Sequence, residues 1–350
     1  MKLLVVLLLT LTLLNVSLPA FAQVGGKYTY QFLNTPASYR TAAHHGYAAS
    51  VNEGDVSLGL YNPTLLGKST HLQFSQSIIN QYAGGYNGQT AFGVSLKNKI
   101  NLATGIQYNK YGSFEYANAG GELANQKFYA SDYLFTLAGS TTLHDSVFKI
   151  GAAIKTIYSV YEAYTSLGLG VDVAGTFVHP NQRFLATAMV RNAGGMINKF
   201  NNQRERLPLD MQLSISQKIK HAPFRVVLTA FSLNQYNLIA NGTYKTTDTT
   251  TIKTGLNKRN IVKQTDNIAR HLNLGTELLL GKNFHIILSY NHKQRRELAY
   301  SFKTAVSGFA FGVGVKVKKI NFGLAYTNYN IVAKNWSFTL ASNLGSWGRK

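Results

Sequence analysis

Apolar and polar positions alternate with period two along most of this chain, in blocks of about ten residues. Near residue 100, Ile100, Leu102, Thr104, Ile106 and Tyr108 fall on one side, with Asn101, Ala103, Gly105, Gln107 and Asn109 on the other. Phe309, Phe311, Val313, Val315 and Val317 oppose Ala310, Gly312, Gly314, Lys316 and Lys318. Ile320, Phe322, Leu324 and Tyr326 oppose Asn321, Gly323, Ala325 and Thr327, and the runs Leu167–Ala174 and Phe284–Asn291 repeat the pattern. Successive side chains of a strand point to opposite faces, so each block predicts a β-strand with one apolar face and one small or polar face. A soluble β-sandwich alternates in the same way, so this pattern alone leaves both architectures open.

Connection lengths separate the two. Strands are predicted near 70–79, 89–98, 100–109, 130–142, 147–158, 166–178, 183–192, 209–219, 223–233, 271–280, 284–293, 306–317, 320–328 and 336–344, about fourteen in all. Six connections are short, around 98–99, 143–146, 179–182, 220–222, 281–283 and 318–319. The connections between them are mostly longer, the major ones near 110–129, 193–208, 234–270 and 294–305. Strict alternation of short turns and long loops is the pattern of outer-membrane barrels. Ten residues suffice for a tilted crossing, and closure is required because an open sheet edge in lipid leaves backbone groups unpaired. The expected fold is an all-β transmembrane antiparallel β-barrel of about 14 strands over 70–350, with apolar faces toward lipid.

The start of the chain reads differently. Met1-Lys2, the apolar run Leu3–Leu14 and the small-x-small site Ala20-Phe21-Ala22 have the order of a secretory signal peptide over 1–22, with the mature chain starting at Gln23. An uncleaved anchor is the alternative, but the run is shorter than the roughly 20 residues a membrane-crossing helix needs. No cysteine follows, which excludes a lipoprotein. Residues 23–69 do not read as spanning strands. Gly54-Asp55 and Asn62-Pro63 mark turns, while Val56, Leu58, Leu60, Leu65 and Leu66 make the segment too apolar for a disordered tail. An N-terminal plug inside the barrel, with Asp55, Asn62 and Pro63 at its turn, is expected; a periplasmic extension is the other reading.

Composition adds three points. The 21 Tyr and 19 Phe suit pleated surfaces and membrane interfaces. The absence of cysteine removes disulfides and thiolate metal sites. The net charge of +21 calls for anionic partners. An exported chain rarely meets nucleic acid, so lipopolysaccharide phosphates or an acidic protein surface are expected, beside outer-membrane lipid itself; a solvated basic surface is the alternative. The loop 234–270 concentrates that charge, and Lys245, Lys253, Lys258, Arg259 and Lys263 are the candidate partner-binding residues, unless the loop is merely solvated.

No nucleophile elbow, phosphate loop or metal-ligand spacing is present, so neither an enzyme nor a cofactor is expected. His44-His45 are adjacent and point apart. Asp132, Asp145, Asp172 and Asp210 form no acid pair, and Gly308, Gly312 and Gly314 belong to a strand's inner face.

Several strings are similar to a known family. Gln23-Val-Gly-Gly-Lys-Tyr-Thr-Tyr-Gln-Phe-Leu-Asn34, Asp55-Val-Ser-Leu58 leading to Asn62-Pro63, Ala130-Ser-Asp-Tyr133, Lys155-Thr-Ile-Tyr158 and Lys220-His-Ala-Pro-Phe-Arg225 resemble the PorQ family of the Bacteroidetes type IX secretion system. The Asn-Pro turn also looks like the plug of FadL-type barrels. The resemblance implies a fourteen-stranded FadL-like barrel with an N-terminal hatch. It also implies a non-enzymatic outer-membrane anchor in a cell-surface attachment complex with PorZ, PorU and PorV, where PorU is the sortase and PorZ the anchored protein. The alternative is a FadL-like channel for hydrophobic small molecules. One departure is the C-terminus: the last strand is expected to finish near Leu344, with Gly345–Lys350 trailing beyond it.

Overall fold

The computed structural model describes residues 28–81, 84–96, 100–118, 120, 122–143, 147–200, 205–239, 258–297, 307–328 and 334–347. The expected signal peptide and the start at Gln23 lie outside them. Fourteen antiparallel strands form one closed barrel, each paired with its neighbours in sequence and the first with the last. They are β1 (Gln73–Asn80), β2 (Tyr86–Ser95), β3 (Asn101–Ala117), β4 (Leu123–Leu143) and β5 (Phe148–Tyr161). Next come β6 (Tyr164–Val178), β7 (Phe184–Asn198), β8 (Asp210–Lys218), β9 (Phe224–Ala230) and β10 (Leu272–Leu280). The wall is completed by β11 (Phe284–Asn291), β12 (Phe309–Val317), β13 (Ile320–Asn328) and β14 (Lys334–Asn343).

The alternation resolves into outside and inside. Phe311, Leu324 and Phe338 are 45, 46 and 43 % exposed, whereas Ala310, Ala325 and Ser337 beside them are buried in the lumen. The outer face is therefore the apolar one, which only lipid can cover in a barrel. Aromatic rings mark its edges. Phe148, Phe177 and Phe184 pack as tilted neighbours in a row at the short-turn end, and Tyr108, Tyr133 and Tyr158 face one another across β3, β4 and β5 at the other. Phe148 and Tyr158 stand about ten residues apart on β5, a rise of roughly 33 Å that a tilt of about 40° reduces to roughly 25 Å. That matches the apolar band of an outer membrane.

Two expectations need correction. Residues 110–129 are not a loop: β3 and β4 continue pairing past the membrane as a two-stranded ribbon, with register shifts between Lys110 and Ser113 and between Glu115 and Ala117. Each shift inserts unpaired residues that reset the alternation, hiding the strands from a period-two reading. Strict alternation of turn length also fails at β5 and β6, where Tyr161 pairs with Tyr164 and leaves a two-residue turn on the long-loop side. The extra length there went into strand. The wall is consequently uneven: β3 to β7 are 14 to 21 residues long, β8 to β14 only 7 to 10.

Residues 28–72 pack against inward-facing side chains of that wall. Two short helices, α1 (Tyr39–Ala43) and α2 (Val56–Tyr61), each start on a side-chain cap. Ser38 and Thr41 form a capping box on α1, and the Asp55 carboxylate accepts from Ser57 N–H on α2. Asn62 caps the next turn, with Pro63 in its first position. Apolar groups from the segment meet apolar inward groups of the wall, an exception to the small-or-polar inner face expected from sequence. Phe32 and Leu33 meet Leu134 and Ile157; Tyr39 and Ala43 meet Ile287 and Ala325. Glycine makes the approach possible: a methyl group at Gly323 would overlap the Tyr39 ring, and one at Gly312 would lie 2.6 Å from Ala43 Cβ.

Candidate functional site

Among the described residues, two buried charge clusters lie between segment and wall, and a crevice opens at the long-loop rim. The first cluster centres on Glu277, fully buried on the inner face of β10. Its carboxylate accepts from Arg225 Nη1 at 2.5 Å and from His44 Nε2 at 2.8 Å, with Arg40 Nη1 at 3.6 Å. Arg225 also pairs with Glu53, which Lys218 approaches at 3.1 Å. Asp55 lies 3.9 Å from Arg40. Three carboxylates thus face three cations, contributed by both wall and segment. Pairing is what makes their burial tolerable, since an isolated charge there would cost several kcal/mol. His45 is buried nearby, and burial pushes its imidazole down to about 4, so it is neutral at neutral pH.

The second cluster sits on β5, β6 and β7. Lys155 Nζ lies 2.5 Å from Asp172 and donates to Asn192 Oδ1 at 2.8 Å. A register shift on β7 sends Asn192 inward with φ near 58°, and its backbone N–H donates to Asp172 at 2.7 Å. The Arg191 guanidinium stacks 4.1 Å from the centre of the Tyr61 ring. Tyr61 in turn donates to Gln212 at 2.8 Å, and burial pushes its phenol up to about 12. Beside Lys155 and Arg191 the space left between segment and wall is about 30 Å³, room for one water.

The rim crevice lies above β9 and β10, where the wall is low. Helix α3 (Lys258–Arg270) precedes β10, which corrects the reading of 234–270 as one loop. Asn267 of α3 donates from Nδ2 to Tyr236 O at 2.6 Å and accepts from Leu238 N–H at 2.9 Å, pinning residues 236–238 to the helix. Between them opens a crevice of about 610 Å³ lined by Leu233, Tyr236, Ile239, Ile268 and His271. Tyr236 is 89 % exposed and Ile268 63 %. A second short helix, α4 (His292–Glu297), docks against α3 through Asp266, which takes hydrogen bonds from Arg270 at 2.7 Å and His292 at 3.0 Å and an ion pair from Arg296 at 3.0 Å.

No protein-family model and no curated protein sequence matches this chain. Solved structures do. The Pseudomonas putida toluene transporter TodX superposes with a TM-score of 0.52 at 9 % identity, over 88 % of this chain and 96 % of its own. A Pseudomonas aeruginosa FadL homologue gives 0.51 at 9 % identity, over 87 % and 97 %. A TodX mutant described as a monoaromatic hydrocarbon channel gives 0.53 at 10 % identity, over 88 % and 99 %. The barrel has the FadL-like fold. At such identities the likeness is one of architecture, and it covers nearly the whole of each neighbour.

The residues singled out from sequence are dispersed. Asp55, Asn62 and Pro63 cap consecutive turns of the N-terminal segment, and Asp55 also belongs to the first charge cluster. Lys263 is exposed on α3 and lines the crevice. Lys258 and Arg259 start the same helix, while Lys245 and Lys253 lie outside the described residues. Glu277, Arg225, Lys155 and Arg191 are not among the site residues expected from sequence, although Lys155 starts and Arg225 ends strings that resemble the PorQ family. Their signal was available: each is a charged residue at an inward position of an alternating strand, as in Thr276-Glu277-Leu278.

Proposed function

We propose that the chain is a gated outer-membrane channel for hydrophobic small molecules, with residues 23–69 as the plug that closes its lumen. The observation that carries this reading is the apolar crevice at the rim, a capture surface on a barrel whose inner wall the N-terminal segment packs against near Lys155. The likeness to a toluene transporter and a monoaromatic hydrocarbon channel supports the hydrophobic class. Passage requires the plug to shift, and polar latches suit that role better than a fused apolar core. The PorQ resemblance implies an anchor, whereas the likeness to hydrocarbon channels supports a channel. The test is uptake of radiolabelled toluene by cells carrying the barrel. Ile268→Asp should reduce it severalfold, because an apolar ligand seated in the crevice would strip water from the new carboxylate. Uptake no greater than in cells without the barrel sinks the channel.

A second reading, the non-enzymatic anchor in a type IX attachment complex that the PorQ resemblance implies, is favoured by the basic rim. Lys263, Lys293, Arg295 and Arg296 all stand on α3 and α4. Such a surface suits an acidic PorZ-like protein or lipopolysaccharide. Changing Lys253, Lys258, Arg259 and Lys263 together to Gln is expected to release the held protein from washed cells, more so at higher salt, with barrel level unchanged. Full retention argues against these loops.

A further inference from the structure

The charge clusters and the crevice leave one feature unused: the cavity at the short-turn mouth of the barrel. It encloses about 360 Å³ between the ends of β10 to β14 and the N-terminal segment. Four lysines line it: Lys282 from the turn between β10 and β11, and Lys316, Lys318 and Lys319 around the turn between β12 and β13. Arg40 and His285 form its inner end.

Two acidic groups also line the cavity, and both are engaged. Glu53 is held by Arg225 and Lys218, and Asp55 receives Ser57 N–H and faces Arg40. Among the described residues no ion pair involves any of the four lysines. Arg40 supplies an independent sign. It is 5 % exposed, and its Nε and Nη1 make no hydrogen bond in spite of their proximity to Asp55 and Glu277. Of its nitrogens only Nη2 is hydrogen-bonded, to His285 Nε2 at 3.0 Å; His285 Nε2 also meets Tyr39 Oη at 3.0 Å. Although its charge is met by Asp55 and Glu277, Arg40 thus keeps two donors without a hydrogen bond beside a lysine-walled cavity, and guanidinium geometry matches phosphoryl oxygens.

We propose that this mouth binds a compact multivalent phosphoryl anion. The space is too small for a polymer and too polar for an acyl chain, while four ammonium groups exceed what one carboxylate needs. Lys282, Lys316 and Lys318 attract and hold the anion, and Arg40 meets it deepest. The chemistry has two sources: a soluble diphosphate or sugar phosphate, or the phosphate headgroup of a lipid in the leaflet that surrounds this end. The proposal stands whether the barrel conducts or anchors.

The experiment is calorimetric titration of the full mature protein, in zwitterionic detergent, with inorganic diphosphate. Saturable binding at one site is expected, weakening about tenfold between 20 and 150 mM salt. The Lys282→Gln/Lys316→Gln/Lys318→Gln variant should lose at least about tenfold in affinity. Lys334→Gln, at the opposite end, should lose none, and heat-modifiable gel mobility confirms that both variants are folded. Repeating the titration with phosphatidylglycerol in the micelles separates the sources: competition assigns the site to a headgroup, and unchanged diphosphate affinity to a soluble anion. No saturable binding by the unaltered protein, or equal binding by the triple variant, overturns the proposal.

Discussion

Replacing Glu277 with alanine is expected to release the N-terminal segment from the wall while leaving the barrel closed. The carboxylate takes charge-assisted hydrogen bonds from Arg225 and His44 and faces Arg40 at 3.6 Å. Its removal leaves two guanidinium groups buried without their shared partner, and breaking a buried pair from one side costs roughly 3–5 kcal/mol. None of that loss falls on the strand ladder, because the backbone pairing of β10 with β9 and β11 does not involve the side chain. Limited proteolysis of the purified protein should therefore cut between residues 40 and 70 in Glu277→Ala and not in the parent. Both should keep the gel mobility of a closed barrel. Glu277→Gln should give an intermediate result, since the amide restores one acceptor but no charge. An uncut Glu277→Ala segment would show that the apolar contacts of Phe32, Leu33 and Tyr39 hold it unaided.

The second large effect concerns the outer face. Leu324→Arg is expected to impair barrel assembly, and Ala325→Ser to leave it nearly intact. Leu324 points outward at 46 % exposure, while Ala325 is buried against the α1 region. An arginine near the bilayer midplane costs roughly 2–4 kcal/mol. A serine hydroxyl adds little volume on an inner face that already carries Ser289, Thr327 and Ser337. Heat-modifiable mobility of membrane fractions reads out both, and equal damage from the two would mean that inside and outside have been exchanged.

That assignment of faces was legible in the sequence because period two carries it directly. Leu324 and Ala325 differ by one position and stand in opposite solvents. Alternation also placed Asp172 on an inner face. What it could not say is which inner residue meets which. Arg40 and Glu277 are distant in the chain, and Lys155 finds Asn192 only through a register shift in β7. The ribbon of β3 and β4 was hidden for a related reason: its shifts break the phase just where pairing continues. Helix α3 was obscured by the Thr-rich run before it, although Ile261, Val262, Thr265, Ile268 and Ala269 recur at helical spacing. The crevice is a product of tertiary contact, Asn267 holding residues 236–238, and no local pattern encodes it.

The seam between β1 and β14 and the segment beside it together impose a chronology on assembly. Tyr39 N–H donates to Thr339 Oγ1 on β14, Ser57 hydrogen-bonds Ser75 on β1, and Thr64 meets Thr176 on β6. The first part of the chain to emerge thus holds both the earliest and the latest strands. A cylinder completed empty would have to admit a folded piece of chain through one end afterwards, and only then form these contacts. Wrapping the strands around the segment as a mandrel avoids that step, with the final zipping of β14 onto β1 as the last event. The contacts that tie segment to seam are then made while the cylinder is still open, and its closure fixes them in place.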